Sequence, residues 1–271
     1  MSEIVRDASE QRLAALVELN AAEWVRLQGR LPWAEWHGEK DVQWLFAGDC
    51  WPRNSVGLAR FSADTAGRRV GEILAYHVSR GAACNWIVGA ESRPTALVEA
   101  LRAHKFRCMI HCAAMACDLN RIAESARPAA DVAIRLEENA PALTPLTTER
   151  RQLRQRGRTA MAQFKPKQVW HFVAFSKERA VGETSICTGA GVAGVVDVEV
   201  LEKFRGRGIG TALIQAAVLH ARSLGHRIAV LGATGMGQRV YERVGFREVG
   251  KLSFYKYGKG QILRQRSKGL A

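Results

Sequence analysis

The segment of this chain best suited to chemistry is a glycine-rich turn between an apolar run and a long helical pattern. The run VEVL (198–201) predicts a strand, and the turn RGRGIGT (205–211) leads directly into an amphipathic helix. Glycines let the backbone approach an anion without a Cβ clash. The free N–H groups of a helix's first turn, together with its dipole, bind phosphate oxygens. The pattern therefore predicts a phosphate-binding turn at the head of this helix.

Two common phosphate-binding motifs do not fit the turn. A P-loop requires Lys followed by Ser or Thr after its glycines, and neither follows here. The spacing R-x-x-G-x-G also differs from the G-x-G-x-x-G of dinucleotide-binding folds. Both nucleotide-binding classes are therefore disfavoured.

Carboxylates beside the turn could supply a general base. Asp197 and Glu199 lie two residues apart on the predicted strand, which places them on one face. Neighbouring carboxylates raise each other's pKa, and one of them could take a proton from an amine, directly or through water. Each could equally be a solvated strand residue or a charge partner for nearby arginines. Glu183 and His171 are weaker candidates for the same role.

The turn and its surroundings resemble the coenzyme A-binding motif of the GNAT N-acetyltransferase superfamily. Arg205-x-x-Gly208-x-Gly210 follows a strand, as in that motif. The resemblance continues through the helix at 211–224 and the strand at 228–232. It ends in VYERVGF (240–246), which is similar to the family's closing helix and its Tyr-x-x-x-Gly-Phe ending. It covers about residues 132–257 and implies an acyltransferase whose donor substrate is acetyl-CoA or another acyl-CoA.

The resemblance also implies a role for individual residues. Tyr241 would protonate the departing thiolate, and the Val200 N–H would polarise the thioester carbonyl. Val198 and Val200 would line the pantetheine arm. Thr234 stands where the family often has Asn, which puts one donor contact in doubt. The residues that would hold the donor are Val198, Val200, Arg205, Gly206, Arg207, Gly208, Ile209, Gly210 and Thr211.

The first half of the chain resembles the non-catalytic lobe of tandem-GNAT bacterial enzymes. The resemblance lies in WIVGAESRP (86–94), the helix after it, HKF (104–106) and MACDL (115–119). This half has no R-x-x-G-x-G, so we expect no donor site there, and its expected role is to close one side of the acceptor cleft. A length of 271 residues itself favours two domains. We predict a degenerate lobe at 1–130 and a catalytic lobe at 131–271.

The predicted class is α/β (α+β), with two tandem GNAT-like lobes, each a mixed, strongly twisted sheet flanked by helices. Helical spacing of Leu13, Leu16, Val17 and Trp24 predicts an N-terminal helix. In the first half, strands are predicted at 56–61, 70–78 and 84–89, a last strand or a hairpin at 106–119, a turn at 62–69 and a helix from 92 to 104. A linker is predicted at 127–130. In the second half, strands are predicted at 132–136, 169–175, 180–188, 195–201, 227–231 and 252–257, and helices at 147–161, 209–224 and 237–244.

Positive charge is concentrated in the second half, where residues 131–271 hold 24 basic and 11 acidic side chains. A run from 150 to 167 and the tail after Gly250 contain no acid. Such a field attracts polyanions, although a basic run is often only a solvated face. Since some GNAT relatives act on aminoacyl-tRNA, a tRNA substrate is an alternative to a small-molecule amine. The candidate acceptor or tRNA contacts are Arg150, Arg151, Arg154, Arg156 and Arg158.

Other sequence signals point to a reduced, cytoplasmic protein without a metal. Six cysteines in a chain of this size do not form a disulfide framework, and the N-terminus lacks a signal-peptide pattern. No apolar run is long enough to cross a bilayer. The spacing of His104, Cys108, His111, Cys112 and Cys117 fits no common zinc framework. The sequence does not predict an oligomeric state.

The leading functional prediction is direct transfer of an acyl group, by default acetyl from acetyl-CoA, to an amine of undetermined identity. A second hypothesis is a tRNA-dependent acyltransferase that uses aminoacyl-tRNA as donor or acceptor. A third is an inactive GNAT scaffold that binds RNA or a protein.

Overall fold

A computed structural model describes residues 3–122, 131–138, 143, 148–235 and 237–258. Within these residues the chain forms six α-helices around one mixed, twisted sheet of eleven strands. The helices are α1 (Glu10–Gln28), α2 (Ala63–Val78), α3 (Pro94–Ala103), α4 (Thr148–Ala162), α5 (Ile209–Ser223) and α6 (Gln238–Val244). The strands are β1 (Glu35–Gly38), β2 (Gln43–Phe46), β3 (Ser55–Gly57), β4 (Cys84–Val88), β5 (Arg107–Asp118), β6 (Val132–Leu136), β7 (Val169–Ser176), β8 (Arg179–Gly189), β9 (Val192–Val200), β10 (Ile228–Ala233) and β11 (Arg247–Tyr257).

The two halves of the chain share an order of elements. The series β3-α2-β4-α3-β5 in the first half matches β9-α5-β10-α6-β11 in the second. In each series the first two strands are parallel and are joined by a helix, as parallel neighbours require. The repeated theme expected from the sequence is thus present in the fold.

The last strands of the two halves are exchanged. The sheet order is β1-β2-β3-β4-β11-β5-β10-β9-β8-β7-β6, so β11 lies between β4 and β5. β5 in turn pairs with β10 of the second half. The sheet is therefore continuous across the predicted boundary between residues 130 and 131. That boundary stays a prediction, and the proposed linker at 127–130 lies outside the described residues.

The core forms on both faces of this sheet. Met115 of β5 packs in the cluster that includes Leu213 of α5, and Tyr255 of β11 packs in the cluster under α2 and α3. Helix α1 covers the opposite face, where Leu16 packs with Leu252. The Asn20 side chain on α1 donates hydrogen bonds to the carbonyl oxygens of Cys187 (3.1 Å) and Gly189 (3.2 Å). Helix α1 thus joins the first half of the chain to the second.

The predicted strand at 70–78 and the predicted turn at 62–69 are wrong, because both belong to helix α2. Its buried positions, Ala66, Val70, Ile73 and His77, recur at helical spacing rather than alternating. The preceding strand is shorter than predicted, since β3 ends at Gly57 and Leu58 has a left-handed φ of +50°.

The predicted α/β class is confirmed, and the remaining predicted elements occur close to their expected bounds. Strands β1 and β2 were not predicted. They are only four residues long, too short for a clear alternation of apolar and polar residues.

Candidate functional site

The glycine-rich turn forms the N-terminal end of helix α5. Gly206 and Gly208 have left-handed φ angles of +76° and +74°, and Gly208 is the N-cap residue. A Cβ on Gly206 would meet no atom within 4 Å, so its φ angle, not crowding, is what requires glycine. The first turn of α5, from Ile209, consequently presents backbone N–H groups without intrahelical partners, as an anion site requires.

Strands β9 and β10 separate next to this turn. In the described residues they pair only at Ala193 with Ala229 and Gly194 with Val230, although β9 continues to Val200. The Leu201 N–H donates to the Val181 carbonyl of β8 (2.9 Å). Because the N–H groups of successive strand residues point to alternate sides, the Val200 N–H points away from β8 and into the gap between β9 and β10. This is the position expected of an oxyanion donor.

Helix α6 meets the turn and strand β9 at Gly210. A Cβ placed on Gly210 would lie 3.8 Å from Val200 Cγ2 and 3.8 Å from Val240 Cγ1. Tyr241 follows Val240, and its ring lies over Gly237, where a Cβ would come within 2.8 Å of Tyr241 Cε2. The structure therefore brings the predicted turn, the Val200 backbone and the Tyr241 helix together.

Tyr241 is half-buried, and its ring makes an edge contact with Phe246 at 6.2 Å between centroids. Burial, with a smaller effect from the Cys112 thiol, raises the pKa of Tyr241 to about 12. The phenol is therefore protonated throughout the physiological range but is a weaker acid than an isolated tyrosine. It is better suited to donating a hydrogen bond to a developing thiolate than to complete proton transfer.

Both arginines of the turn contact protein groups. Arg205 Nε donates to the Val200 carbonyl (3.1 Å), and Arg207 pairs with Asp131 at 2.6 Å. The hydroxyl of Ser176 also donates to Asp131, and these two contacts lower the Asp131 pKa. Contact between the two arginines and phosphate stays a prediction.

The predicted base residues lie on a β-bulge. Glu183 of β8 pairs with Glu199, whereas Ser185 pairs with Val196, so β9 has one extra residue between these pairs. Asp197 there has a left-handed φ of +55°. Both carboxylates face Arg154 of α4, with N···O distances of 3.1 Å to Asp197 and 4.0 Å to Glu199.

A buried ion pair lies behind these carboxylates. Arg158 donates to both carboxylate oxygens of Glu183, at 2.5 and 2.9 Å, and each of the two side chains is only 1% exposed. Arg154 also approaches Glu183 (3.4 Å), and Arg158 approaches Asp197 (3.6 Å). Burial opposes the charge of Arg158, but Glu183 outweighs that effect and raises the Arg158 pKa. We refer to Arg154, Arg158, Glu183, Asp197 and Glu199 as the arginine–carboxylate cluster.

Different neighbouring groups surround the four candidate bases, which are Asp197, Glu199, Glu183 and His171. Burial disfavours the charged form of Asp197, but Arg154 and Arg158 outweigh it and hold the Asp197 pKa below its ordinary value. Burial and the nearby Arg158 lower the pKa of His171 to about 4, and its Nδ1 lies 2.7 Å from Ser185 Oγ. Glu183 is held in its two-point contact with Arg158. The Glu199 side chain is 22% exposed and lies 4.0 Å from Arg154, and its role as base stays a prediction.

The five arginines predicted to contact acceptor or tRNA do not share one surface. Arg154 and Arg158 are buried, so these two do not form the solvated face that was the alternative interpretation of the basic run. Their predicted contact with the acceptor or with tRNA stays a prediction. Arg154, Arg158 and the buried Met161 occupy positions i, i+4 and i+7 of one helix face. This spacing was the signal in the sequence that could have indicated a buried face. Arg151 and Arg156 are exposed, and Arg156 Cζ lies 5.5 Å from the centre of the Trp33 ring. The Arg150 side chain lies outside the described part of the structure.

The first half of the chain reaches this helix through Trp51. A Cβ on Gly157 of α4 would lie only 2.0 Å from Trp51 Cζ3, so the indole packs directly on the helix backbone. The Trp33 Nε1–H donates to the Trp51 carbonyl (2.8 Å) and so ties this loop to the segment after α1.

The described residues show no arrangement suited to metal binding and no helix suited to crossing a membrane. No group of three or more His, Cys, Asp or Glu side chains there is arranged to hold a metal ion. None of the helices there combines the length and hydrophobicity that a membrane crossing needs.

Comparison with known proteins gives a family-model match and many structural likenesses. Residues 167–248 match the model described as "Acetyltransferase (GNAT) domain". A GCN5-related N-acetyltransferase from Kribbella flavida is 15% identical, with a TM-score of 0.64, covering 89% of this chain and 96% of that chain. No curated protein matched.

Two other solved structures are similar over nearly the whole chain. One is a GCN5-related N-acetyltransferase from Sphaerobacter thermophilus (19% identity, TM-score 0.56, 95% of this chain and 96% of that one). The other is a tandem GNAT protein from the clavulanic acid biosynthesis pathway (16% identity, TM-score 0.58, 93% and 95%). At these identities the likeness shows the fold.

Proposed function

Because residues 167–248 match the GNAT acetyltransferase domain model and the fold is similar to that of solved GNAT structures, we propose that this protein is an N-acyltransferase. The proposed donor is an acyl-CoA, by default acetyl-CoA, and the proposed acceptor is an amine of a small molecule. The observation that carries this proposal is the meeting of three elements at Gly210: the glycine-rich turn, the Val200 backbone and helix α6.

The residues fit such a donor. The left-handed glycines expose the N–H groups of the first turn of α5, which would hold the pyrophosphate. An acyl-CoA would supply a thioester, and the Val200 N–H would donate to its carbonyl oxygen as negative charge develops. Tyr241 would donate a hydrogen bond to the leaving sulfur.

Glu199 would act as the base, directly or through one water. An amine attacks a thioester only in its neutral form, so its proton must be removed first. Asp197 is a poorer base because its two arginine neighbours stabilise its charged form. In this proposal Asp197, Arg154 and Arg158 fix the position of Glu199 and do not take part in proton transfer.

Acyl transfer to or from aminoacyl-tRNA, proposed from charge alone, has less support. Two of its five candidate arginines, Arg154 and Arg158, are buried and paired with carboxylates, which disfavours contact with a phosphate backbone. The exposed Arg151 and Arg156 remain candidates, as does the basic tail, most of which lies outside the described residues. Steady-state assays with acetyl-CoA and a panel of amines, run beside charged total tRNA as the acyl donor, distinguish the two hypotheses. Product formation only with tRNA would refute a small-molecule acetyltransferase.

Donor binding can be tested separately with a matched pair of variants. Gly208→Asp puts a carboxylate at the head of α5, where it should abolish CoA binding in calorimetry. Gly81→Asp is the control, because Gly81 also has a left-handed φ (+69°) and open space around its Cβ position. Equal CoA affinity in both folded variants would show that the turn is not the donor site. Loss of binding only in Gly208→Asp is the expected result and would also argue against an inactive scaffold.

A further inference from the structure

A second group of reactive side chains lies on the central strands β5 and β11. Cys108 Sγ is 3.5 Å from His111 Nε2, and His111 Nδ1 is 2.8 Å from Ser253 Oγ. Cys108 Sγ is also 4.0 Å from His111 Nδ1, so the thiol lies beside the imidazole ring, closer to Nε2. When His111 carries its proton on Nδ1 and donates it to Ser253, Nε2 is the nitrogen left to take a proton from Cys108. A nucleophile, a base within hydrogen-bond reach and a third group that orients the base form the arrangement that activates a cysteine.

A β-bulge creates this arrangement. Residues 108 and 111 of a regular strand would point to opposite faces of the sheet. Here Ile110 pairs with Phe254 and Cys108 pairs with Tyr255, so Met109 is an extra residue on β5. The bulge turns Cys108 to the face that carries His111, as bulges do where a side chain must be re-aimed. Ser253 is directly opposite His111 on β11, so the group exists only because the two halves exchange their last strands.

The group is accessible to a reagent. Cys108 and His111 are exposed, and Ser253 is half-buried. Four other cysteines (Cys84, Cys112, Cys117 and Cys187) are buried, and burial raises the pKa of each thiol. Cys50 is exposed like Cys108, but the described residues give it no histidine partner. Cys50 therefore serves as a control for a thiol that is exposed but has no histidine partner among the described residues.

The charge around Cys108 is positive. Arg107 precedes it and Lys256 is the cross-strand partner of Arg107, so both cations are adjacent to Cys108 along the strands, with side chains on the opposite face of the sheet. Arg102 and Cys108 both act electrostatically on Tyr255, which places a third cation nearby. A positive surface raises the local concentration of anionic reagents.

We propose that Cys108 is a thiol–disulfide exchange site for anionic low-molecular-weight disulfides, with His111 as its base and Ser253 positioning His111. His111 Nε2 takes the thiol proton as the Cys108 sulfur attacks one sulfur of the disulfide. A new sulfur–sulfur bond forms, the old one breaks, and the second sulfur leaves with its electron pair. It takes the proton back from His111, so the disulfide is the only oxidant. This site does not depend on the proposed acyl transfer.

The test compares two proteins with one exposed cysteine each. Cys50→Ser keeps Cys108, and Cys108→Ser keeps Cys50. Both are treated with 5,5′-dithiobis(2-nitrobenzoate), a dianionic disulfide, and the released thiolate is followed by absorbance. Cys108 should react at least about tenfold faster than Cys50, a small part of the roughly 10²-fold that a positioned base contributes. Equal rates for the two thiols would refute the proposal.

Variants of the residues near Cys108 then test whether this thiol reacts fast because His111 activates it or because it is exposed. In the Cys50→Ser background, His111→Gln should slow the reaction to the Cys50 rate, and Ser253→Ala should slow it in part. An unchanged rate in His111→Gln, with an unchanged unfolding temperature, would overturn the assignment of the base. Arg107→Gln should slow the dianionic reagent but not neutral 2-hydroxyethyl disulfide. Equal slowing of both reagents would contradict the preference for anions. With glutathione disulfide, intact-mass spectrometry should show a single adduct, absent in Cys108→Ser.

Discussion

Removing one partner of the buried Arg158–Glu183 pair should destabilise the protein strongly. Glu183→Gln keeps the size of the side chain but removes the charge that faces Arg158 at 2.5 and 2.9 Å. Both side chains are 1% exposed, so water cannot replace the lost partner. Breaking a buried pair in this way costs about 3–5 kcal/mol. Arg154 and the Leu143 N–H (3.3 Å) also lose a charged acceptor in this variant.

The double variant distinguishes a paired charge from two independent packing effects. Arg158→Met leaves Glu183 buried without its main partner, and it should cost a similar amount. Arg158→Met combined with Glu183→Gln removes both charges, so its cost should fall short of the sum of the singles by about 2 kcal/mol or more. Free energies of unfolding would be measured by urea titration at neutral pH with tryptophan fluorescence.

A matched surface pair provides the control. Arg135 and Glu178 make a two-point contact of similar geometry, at 3.0 and 2.8 Å, but their side chains are 45% and 77% exposed. Water and salt screen such a pair, so Glu178→Gln should leave the urea midpoint almost unchanged. If Glu183→Gln were as mild as Glu178→Gln, or if the Arg158 and Glu183 effects were additive, the reasoning from burial would be refuted.

Three further predictions concern the site and its supports. Tyr241→Phe should lower kcat by about 10²-fold or more with little change in unfolding temperature, and full activity would make Tyr241 a packing residue only. Gly157→Ala should lower the unfolding temperature because the new Cβ collides with Trp51, whereas Gly67→Ala, with open space around its Cβ, should not. Because burial lowers the His171 pKa to about 4, only the unfolded chain takes up the His171 proton between pH 6.5 and 4. The free energy of unfolding should therefore fall by about 3 kcal/mol as the pH drops through that interval. A His171→Gln variant with the same pH dependence of unfolding would contradict this assignment.

The sequence alone determined the elements whose signals are local. The turn from Arg205 to Gly210 could be identified because left-handed glycines and a helix start leave a mark within a few residues. The helix α5 and the hairpin of β7 and β8 followed from periodicity in the same way. The strand predicted at 70–78 is wrong because the buried positions of this segment recur at the helical spacing of α2.

Only the tertiary structure decided which residues act together. Arg158 and Glu183 are separated by 25 residues, and His111 and Ser253 by 142, so no local pattern could pair them. The exchange of β5 and β11 depends on pairing between strands that are far apart in the sequence, and that pairing is set by register and burial in the folded chain. Two bulges, at Asp197 and at Met109, then changed which side chains share a face. Positive charge counted along the sequence could not show that Arg154 and Arg158 lie inside the fold, where Asp197 and Glu183 compensate for the water that they lose.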